Sequence, residues 1–318
     1  MRIARTVEQA EGFGPCVLTI GKFDGVHAGH EYLLTQVVDA AHQRGLKPAA
    51  MTFYPHPACV VAPDRVLKPL MSLEHRCERV RDLGIEELFI LQFTSEVARL
   101  SPEEFAASFI AAAMRAKLVI VGENFRFGHR QAGDPAMLVQ LGERYGFETR
   151  LVAPVKRRGM IVSTSAIRTL LEQGEVSRAA RLLNRPFAIS GDVVAGFGVG
   201  SKQTVPTLNL RPGAEVLPRG GVYITRTKDL AKQRCWNSIT NIGSRPTFNG
   251  SELTIETHLL DPLDGAAPAR IGVEFLRRVR DERKFENPEA LKRQIMSDVA
   301  QAQRYFRRLG SGAAGALR

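Results

Sequence analysis

Apolar residues along this chain follow two rhythms, and the change between them falls near residue 185. In the first part, short continuous apolar runs alternate with helical spacings. Cys16-Val17-Leu18-Thr19-Ile20, bounded by Gly21, reads as a buried strand. Glu31 to Arg44 then places Leu33, Leu34, Val37, Val38 and Ala41 at helical spacing, closed by Gly45. Further strands are predicted at Ala49 to Phe53, Leu88 to Phe93, Lys117 to Val121 and Thr149 to Ala153. Further helices are predicted at Leu73 to Leu83 and Pro135 to Tyr145. Between them Ser101 caps a helix, Pro102 takes its first position and Glu104 completes a capping box. This alternation implies an α/β domain with a parallel sheet and ligands at the carboxyl ends of its strands.

After Asn184 the pattern becomes one of short β-type runs. They are Ala188 to Ala195, Thr207 to Leu210, Val222 to Thr227, Cys235 to Asn241, Leu253 to Leu260 and Ile271 to Val279, separated by Gly, Pro and Asn turns. Such spacing predicts an antiparallel barrel or sandwich. Pro288 to Phe306 carries Leu291, Ile295, Val299, Ala302 and Phe306 on one stripe, a long amphipathic helix. The expected organisation is therefore an α/β domain over 1–185, a β domain over 186–309 and a disordered tail over 310–318.

The richest chemistry stands directly behind the first buried run, in Gly21-Lys22-Phe23-Asp24-Gly25-Val26-His27-Ala28-Gly29-His30. Both histidines fall on a strand-to-helix turn, where backbone N–H groups lacking intrahelical partners and the positive end of the helix dipole attract anions. Gly25 and Gly29 let a phosphate approach the backbone. His27 and His30, three apart, can aim two ring N–H donors at it. A lone histidine pair at this spacing also suits a structural role or half a zinc site. No cysteine or third histidine stands at ligand spacing nearby, and the glycines and preceding strand favour phosphate.

Other segments admit two readings each. Gly122-Glu123-Asn124-Phe125-Arg126-Phe127-Gly128 follows a strand, as a plain surface loop or as a substrate-lining loop in which Asn124 both donates and accepts. Ser163-Thr164-Ser165-Ala166-Ile167-Arg168 opens a helix, where hydroxyls cap and where an arginine fork can also hold phosphate. Thr207 and Asn209 are two apart, so on a strand they share a face and can share a hard cation such as Mg²⁺, or remain half-buried strand polars. Glu256 lies opposite in face to Ile255, Thr257 and Leu259, the pattern of a solvated strand carboxylate.

Composition narrows the class. At 318 residues there is room for two domains, and 44% apolar with 24% charged residues is globular. The longest apolar stretch, Phe109 to Val121, is broken by Arg115 and Lys117 and falls short of the ~20 residues a bilayer requires. Cys16, Cys59, Cys77 and Cys235 are scattered, and no signal-peptide core opens the chain, so a cytoplasmic location is expected. The formal charge of +11 implies either an anionic partner, nucleic acid or polyphosphate, or a role in solubility. Clusters such as Lys156-Arg157-Arg158 and Arg307-Arg308 are short, without the dense stripe of a nucleic-acid binder.

The ten-residue turn resembles the extended HxGH signature of prokaryotic FAD synthetases. Gly122 to Gly128, Ser163 to Arg168 and Thr52-Phe53-Tyr54-Pro55-His56-Pro57 resemble that family's other segments, with Thr164 and Ser165 exchanging the usual hydroxyl types. Gly220-Gly221-Val222-Tyr223, Asn241 to Phe248, Ile255 to Asp261 and Arg280 to Phe285 resemble the riboflavin kinase barrel. Together the resemblance is to the bifunctional riboflavin kinase/FAD synthetase family (FMN adenylyltransferases), over nearly the whole chain.

That resemblance implies a Rossmann-like α/β nucleotidylyltransferase domain followed by an antiparallel kinase barrel. It implies ATP, riboflavin and FMN as substrates and Mg²⁺ as cofactor, with neither nucleic acid nor membrane as partner. His27 and His30 would stabilise charge during adenylyl transfer. Gly21, Phe23, Asp24, Gly25, Gly29, Asn124, Ser163, Thr164, Ser165 and Arg168 would bind ATP phosphates. Phe53, Phe125, Phe127 and Arg280 would meet the flavin, although each phenylalanine equally suits the core. Thr207 and Asn209 would bind Mg²⁺, and Glu256 would be the kinase base. Gly200 to Val205 departs from the family loop, lacking its arginine, second glycine and aromatic, with Lys202 offering a replacement charge. The rival readings are an FAD synthetase with a silent barrel and a basic RNA-associated protein.

Overall fold

A computed structural model describes residues 1–64, 68–194, 207–232, 234–247 and 250–315. The chain divides into two compact units, Met1–Thr164 and Ser165–Arg318. The first holds a six-stranded parallel sheet: β1 (Arg2–Ala4), β2 (Cys16–Ile20), β3 (Lys47–Tyr54), β4 (Glu87–Gln92), β5 (Ala116–Gly122) and β6 (Glu148–Val152), in spatial order β1-β4-β3-β2-β5-β6. Alternate residues feed opposite faces. Cys16, Leu18 and Ile20 enter one core with Met51, Val119 and Val121, while Val17 enters the other with Ala50, Leu118 and Ile120. A parallel sheet covered on both faces explains why these strands read as continuous apolar runs.

From β2 the chain runs outward through β3 to β4 in one direction, whereas β5 and β6 lie on the other side of β2. The carboxyl ends of β2 and β5 therefore form the switch point of the sheet, the position at which open α/β sheets bind ligands. A small antiparallel pair, β7 (Lys156–Arg157) and β8 (Met160–Ile161), follows.

The second unit is a closed antiparallel barrel. Its strands are β9 (Phe187–Val194), β10 (Thr207–Pro212), β11 (Gly221–Asp229), β12 (Cys235–Thr247), β13 (Gly250–Leu259) and β14 (Arg270–Arg280), ordered β10-β13-β12-β11-β14-β9. Closure joins β9 to β10 on one side and to β14 on the other, pairing Phe187 with Phe275. Inside lie Tyr223 and Phe275, together with a chain of buried hydroxyls, Thr227–Ser238–Thr225–Thr240–Thr257, linked at 2.8–3.0 Å. Outside, Val222, Ile224 and Ile239 pack against Ala302 of the terminal helix.

Two boundaries differ from expectation. The helices Thr164–Glu172 and Val176–Leu183 precede residue 185, yet the second of them packs on β14 and β9 through a buried face of Val176, Ala179, Leu182 and Leu183. Burial, which the linear pattern did not weigh, draws it to the barrel. The terminal helix also runs Pro288–Gly315, past Gly310 where a disordered tail was expected. Extending a formed helix needs no new nucleus. Residues 316–318 lie outside the described residues.

Candidate active sites

The turn after β2 is held in a strained shape. Phe23, Gly25 and Val26 have φ of 47°, 82° and 37°. Gly25 adopts such a backbone freely, but a β-branched valine there is an outlier costing ~1–3 kcal/mol. Phe23 and Val26 are fully buried in the core beneath the sheet, which holds the strain in place. The neighbouring elements clamp the turn as well. The Gly21 N–H donates to the Met51 carbonyl at 3.0 Å, and the Thr52 hydroxyl donates to the Lys22 carbonyl at 3.1 Å.

His27 is the N-cap of the helix Ala28–Arg44, and its Nδ1 accepts from the His30 N–H at 3.3 Å. A ring whose Nδ1 accepts carries its hydrogen on Nε2, so the cap selects the tautomer. The His27 and His30 rings stack with centroids 3.6 Å apart and planes 11° from parallel. Phe23 braces His30 edge-on at 5.2 Å. A Cβ on Gly29 would stand 3.3 Å from the His27 ring, so glycine leaves that ring its space.

Asp24 is buried, and its Oδ1 accepts from the Leu70 N–H at 2.8 Å. Its carbonyl accepts from the Thr164 hydroxyl at 3.3 Å, which brings the Ser163–Thr164 segment to the turn. Ser165 and Arg168 follow on the helix Thr164–Glu172, exposed and half-buried respectively. Arg76 lies buried beside Asp24; burial pushes its guanidinium below the usual value and the Asp24 charge opposes that shift. His56 caps the short helix Pro57–Val61 by accepting from the Ala58 N–H at 3.1 Å.

β5 is parallel to β2 and adjacent to it, so its loop leaves the sheet at the same edge. Asn124 is exposed there. Phe125 is half-buried and stacks on Phe127 at 5.5 Å, whereas Phe127 is buried in the core and bonded through its backbone to Gly133. Phe53, at the end of β3, is half-buried against Phe93. Phe127 thus packs inward, and Phe53 and Phe125 keep part of their surface open.

In the barrel, cross-strand register gathers one polar row. Asn209 on β10 pairs with Glu256 on β13, which pairs with Asn241 on β12, and all three are half-buried. One step along, Thr207 pairs with His258, and its hydroxyl lies 2.8 Å from His258 Nδ1. Burial pushes the His258 imidazole down from its usual pKa, with the Glu256 carboxylate opposing. A Cβ on Gly243 would overlap the Glu282 carboxylate and stand 3.2 Å from the Asn241 amide nitrogen, so Glu282 closes over the same face. Hydroxyl, amide and carboxylate oxygens on one face suit a hard cation that keeps waters and substrate phosphates as its remaining ligands.

Arg280, expected near the flavin, is bonded to the terminal helix. Its Nε and Nη2 lie 2.9 and 2.8 Å from Asp298 Oδ2. Asn241, His258 and Glu282 were not singled out from the sequence; only register and the space left by Gly243 reveal them. Residues 200–206, the altered kinase loop, and Phe248 lie outside the described residues.

A parallel sheet with a strained, histidine-bearing anion turn at its switch point, followed by a barrel with an oxygen-rich polar face, defines a two-unit nucleotide-dependent transferase. The family model described as FAD synthetase matches residues 10–166, and that described as riboflavin kinase matches residues 183–306. The chain belongs to the family of bifunctional riboflavin kinase/FMN adenylyltransferases. It is 33% identical over 291 residues to the member from Escherichia coli K12, covering 92% of this chain and 93% of that one. It is 32% identical over 299 residues to the Bacillus subtilis 168 member, covering 92% and 93%. A crystal structure described as a macrolide-efflux protein from Streptococcus pneumoniae superposes with a TM-score of 0.87 at 27% identity, covering 95% of this chain and 99% of that one. Among the described residues here, no helix is long and apolar enough to cross a membrane.

Proposed function

We propose that the chain makes FAD from riboflavin in two ATP-dependent steps, one in each unit. The barrel moves the terminal phosphoryl group of ATP onto a riboflavin hydroxyl, giving FMN and ADP. The parallel-sheet unit joins the FMN phosphate to the α-phosphorus of a second ATP, and the bond to pyrophosphate breaks. The observation that carries this reading is the stacked His27–His30 pair, set on a strained turn at the switch point.

Adenylyl transfer requires positioning and charge stabilisation rather than a covalent nucleophile. The His27 Nε2–H and the His30 ring stabilise charge as it develops on the triphosphate. Gly21, Gly25 and Gly29 let the phosphates approach, while Phe23 and Asp24 hold the turn in shape. Ser163, Thr164 and Asn124 add neutral donors at the same edge, and Phe53 and Phe125 offer the flavin a partly open aromatic wall.

In the barrel, Glu256 accepts the proton of the attacking hydroxyl, and Thr207 and Asn209 would hold Mg²⁺, which would neutralise triphosphate charge. Asn241 and Glu282 border this face and orient the groups that enter it. Arg280 fastens the terminal helix beside it.

The altered loop before Thr207 favours a second reading, an adenylyltransferase with a silent barrel. Incubating the pure protein with riboflavin, ATP and Mg²⁺ and separating the products decides between them. FMN and FAD together support two working sites, FAD formed only from supplied FMN supports the silent barrel, and no turnover overturns both. Glu256→Gln should lower FMN formation by about 10²–10⁴-fold with FAD formation from FMN retained. Full kinase activity in that variant would make Glu256 a surface residue.

A further inference from the structure

We propose that His258 is a positioning residue that orients the Thr207 hydroxyl for cation binding, an assignment that rests on the kinase reading above. Thr207 and His258 are directly opposed on β10 and β13, with Oγ1 and Nδ1 2.8 Å apart. A hydroxyl has one hydrogen and two lone pairs, and its hydrogen rotates to suit its surroundings. Left unguided, that hydrogen can point toward the cation and spoil the ligand. When Nδ1 accepts it, the hydroxyl offers lone pairs rather than its hydrogen to a cation.

The surroundings of the ring favour this arrangement. His258 lies two residues beyond Glu256 on the same face, so its position is set by the strand that carries the base. Its cross-strand neighbour on β12 is Ile239, whose apolar side chain cannot compete for Nδ1. The Thr257 hydroxyl between Glu256 and His258 points into the barrel and bonds to Thr240 at 3.0 Å, which pins this stretch of β13 to β12. Partners that orient metal ligands typically change metal affinity by about 10–100-fold when removed.

The test is calorimetric titration of the full-length protein with ADP, with and without Mg²⁺, alongside thermal melts. His258→Ala should weaken the Mg²⁺-dependent part of ADP binding by about 10–100-fold and leave Mg²⁺-free binding unchanged. His258→Asn, whose Oδ1 can take the place of Nδ1, should recover most of the loss. His258→Leu keeps the bulk without an acceptor and serves if the alanine variant melts early. In a Thr207→Val background, the His258 substitutions should cost nothing further. Equal losses in both backgrounds, or unchanged affinity in His258→Leu, would overturn the proposal. If wild-type protein shows neither Mg²⁺-dependent ADP binding nor FMN formation, the kinase reading itself fails and the proposal falls with it.

Discussion

The His27 ring caps a helix through Nδ1, and the catalytic role proposed for it uses Nε2, so substitutions can separate the two. His27→Ala removes both, and should lower adenylyl transfer by about 10²–10³-fold as well as stability by about 1 kcal/mol. His27→Asn retains a capping oxygen, so its melting temperature should stay near wild type while the rate still falls. Measuring both rates and the melt on one preparation checks this, and equal loss of the kinase rate would refute a local role. A second residue-scale prediction concerns Glu87, buried at the opposite edge of the sheet from the turn. Burial raises its carboxyl pKa, with the Gly14 N–H and the Arg2 and Lys47 charges opposing. The folded state therefore holds this proton more tightly than the unfolded chain. Stability from this group falls as pH rises from the ordinary carboxylate value to the raised one, and the full cost remains above it. Glu87→Gln should melt higher than wild type at pH 7, with the difference gone near pH 4; an advantage that persists in acid would rule out this explanation.

Among elements, the terminal helix depends on one buried pair. Asp298 is 4% exposed and receives two bonds from Arg280, while Gln294 donates to its other oxygen at 2.7 Å. Asp298→Ala removes the carboxylate partner of a largely buried guanidinium, which should cost about 3 kcal/mol, measurable as a lower urea midpoint. A loss below about 1 kcal/mol would mean water reaches Arg280 readily. How far such elements could be read from sequence depended on their burial. β2 and the helix Pro135–Tyr145 were legible to the residue, because each pairs a clean apolar pattern with an unambiguous stop. β1 was missed: it is three residues long, with only Ala4 buried. The helix beginning at Pro102 was legible at its cap, but not in its passage into the wider turns of Ala106–Ala113, where small residues pack closely and no periodicity marks the change. At the candidate sites, residues contiguous in sequence were visible. The Asn209–Glu256–Asn241 row depends on strand register, and Glu282 depends on what a missing side chain makes room for.

The whole molecule carries a formal charge of +11, while every substrate proposed for it except riboflavin is an anion. Attraction of this kind acts mainly on encounter and is screened over about 10 Å at 0.1 M salt. Raising KCl should therefore lower kcat/KM for ATP in both reactions with kcat nearly constant. A kcat that fell in parallel would place the salt effect on the chemistry instead. Closure of the barrel has a different consequence, for the birth of the protein. β9 leads the barrel strands out of the ribosome, yet one of its edges stays unpaired until β14, the last strand, has been made. Contacts so distant along the chain form slowly. During synthesis the barrel strands wait with an open edge, exposed to pairing with other chains. The six parallel strands ahead of them need no residue beyond β6 to complete their sheet. The order of translation thus lets the adenylylating unit assemble first and leaves the phosphorylating barrel as the step most exposed to aggregation or chaperone capture.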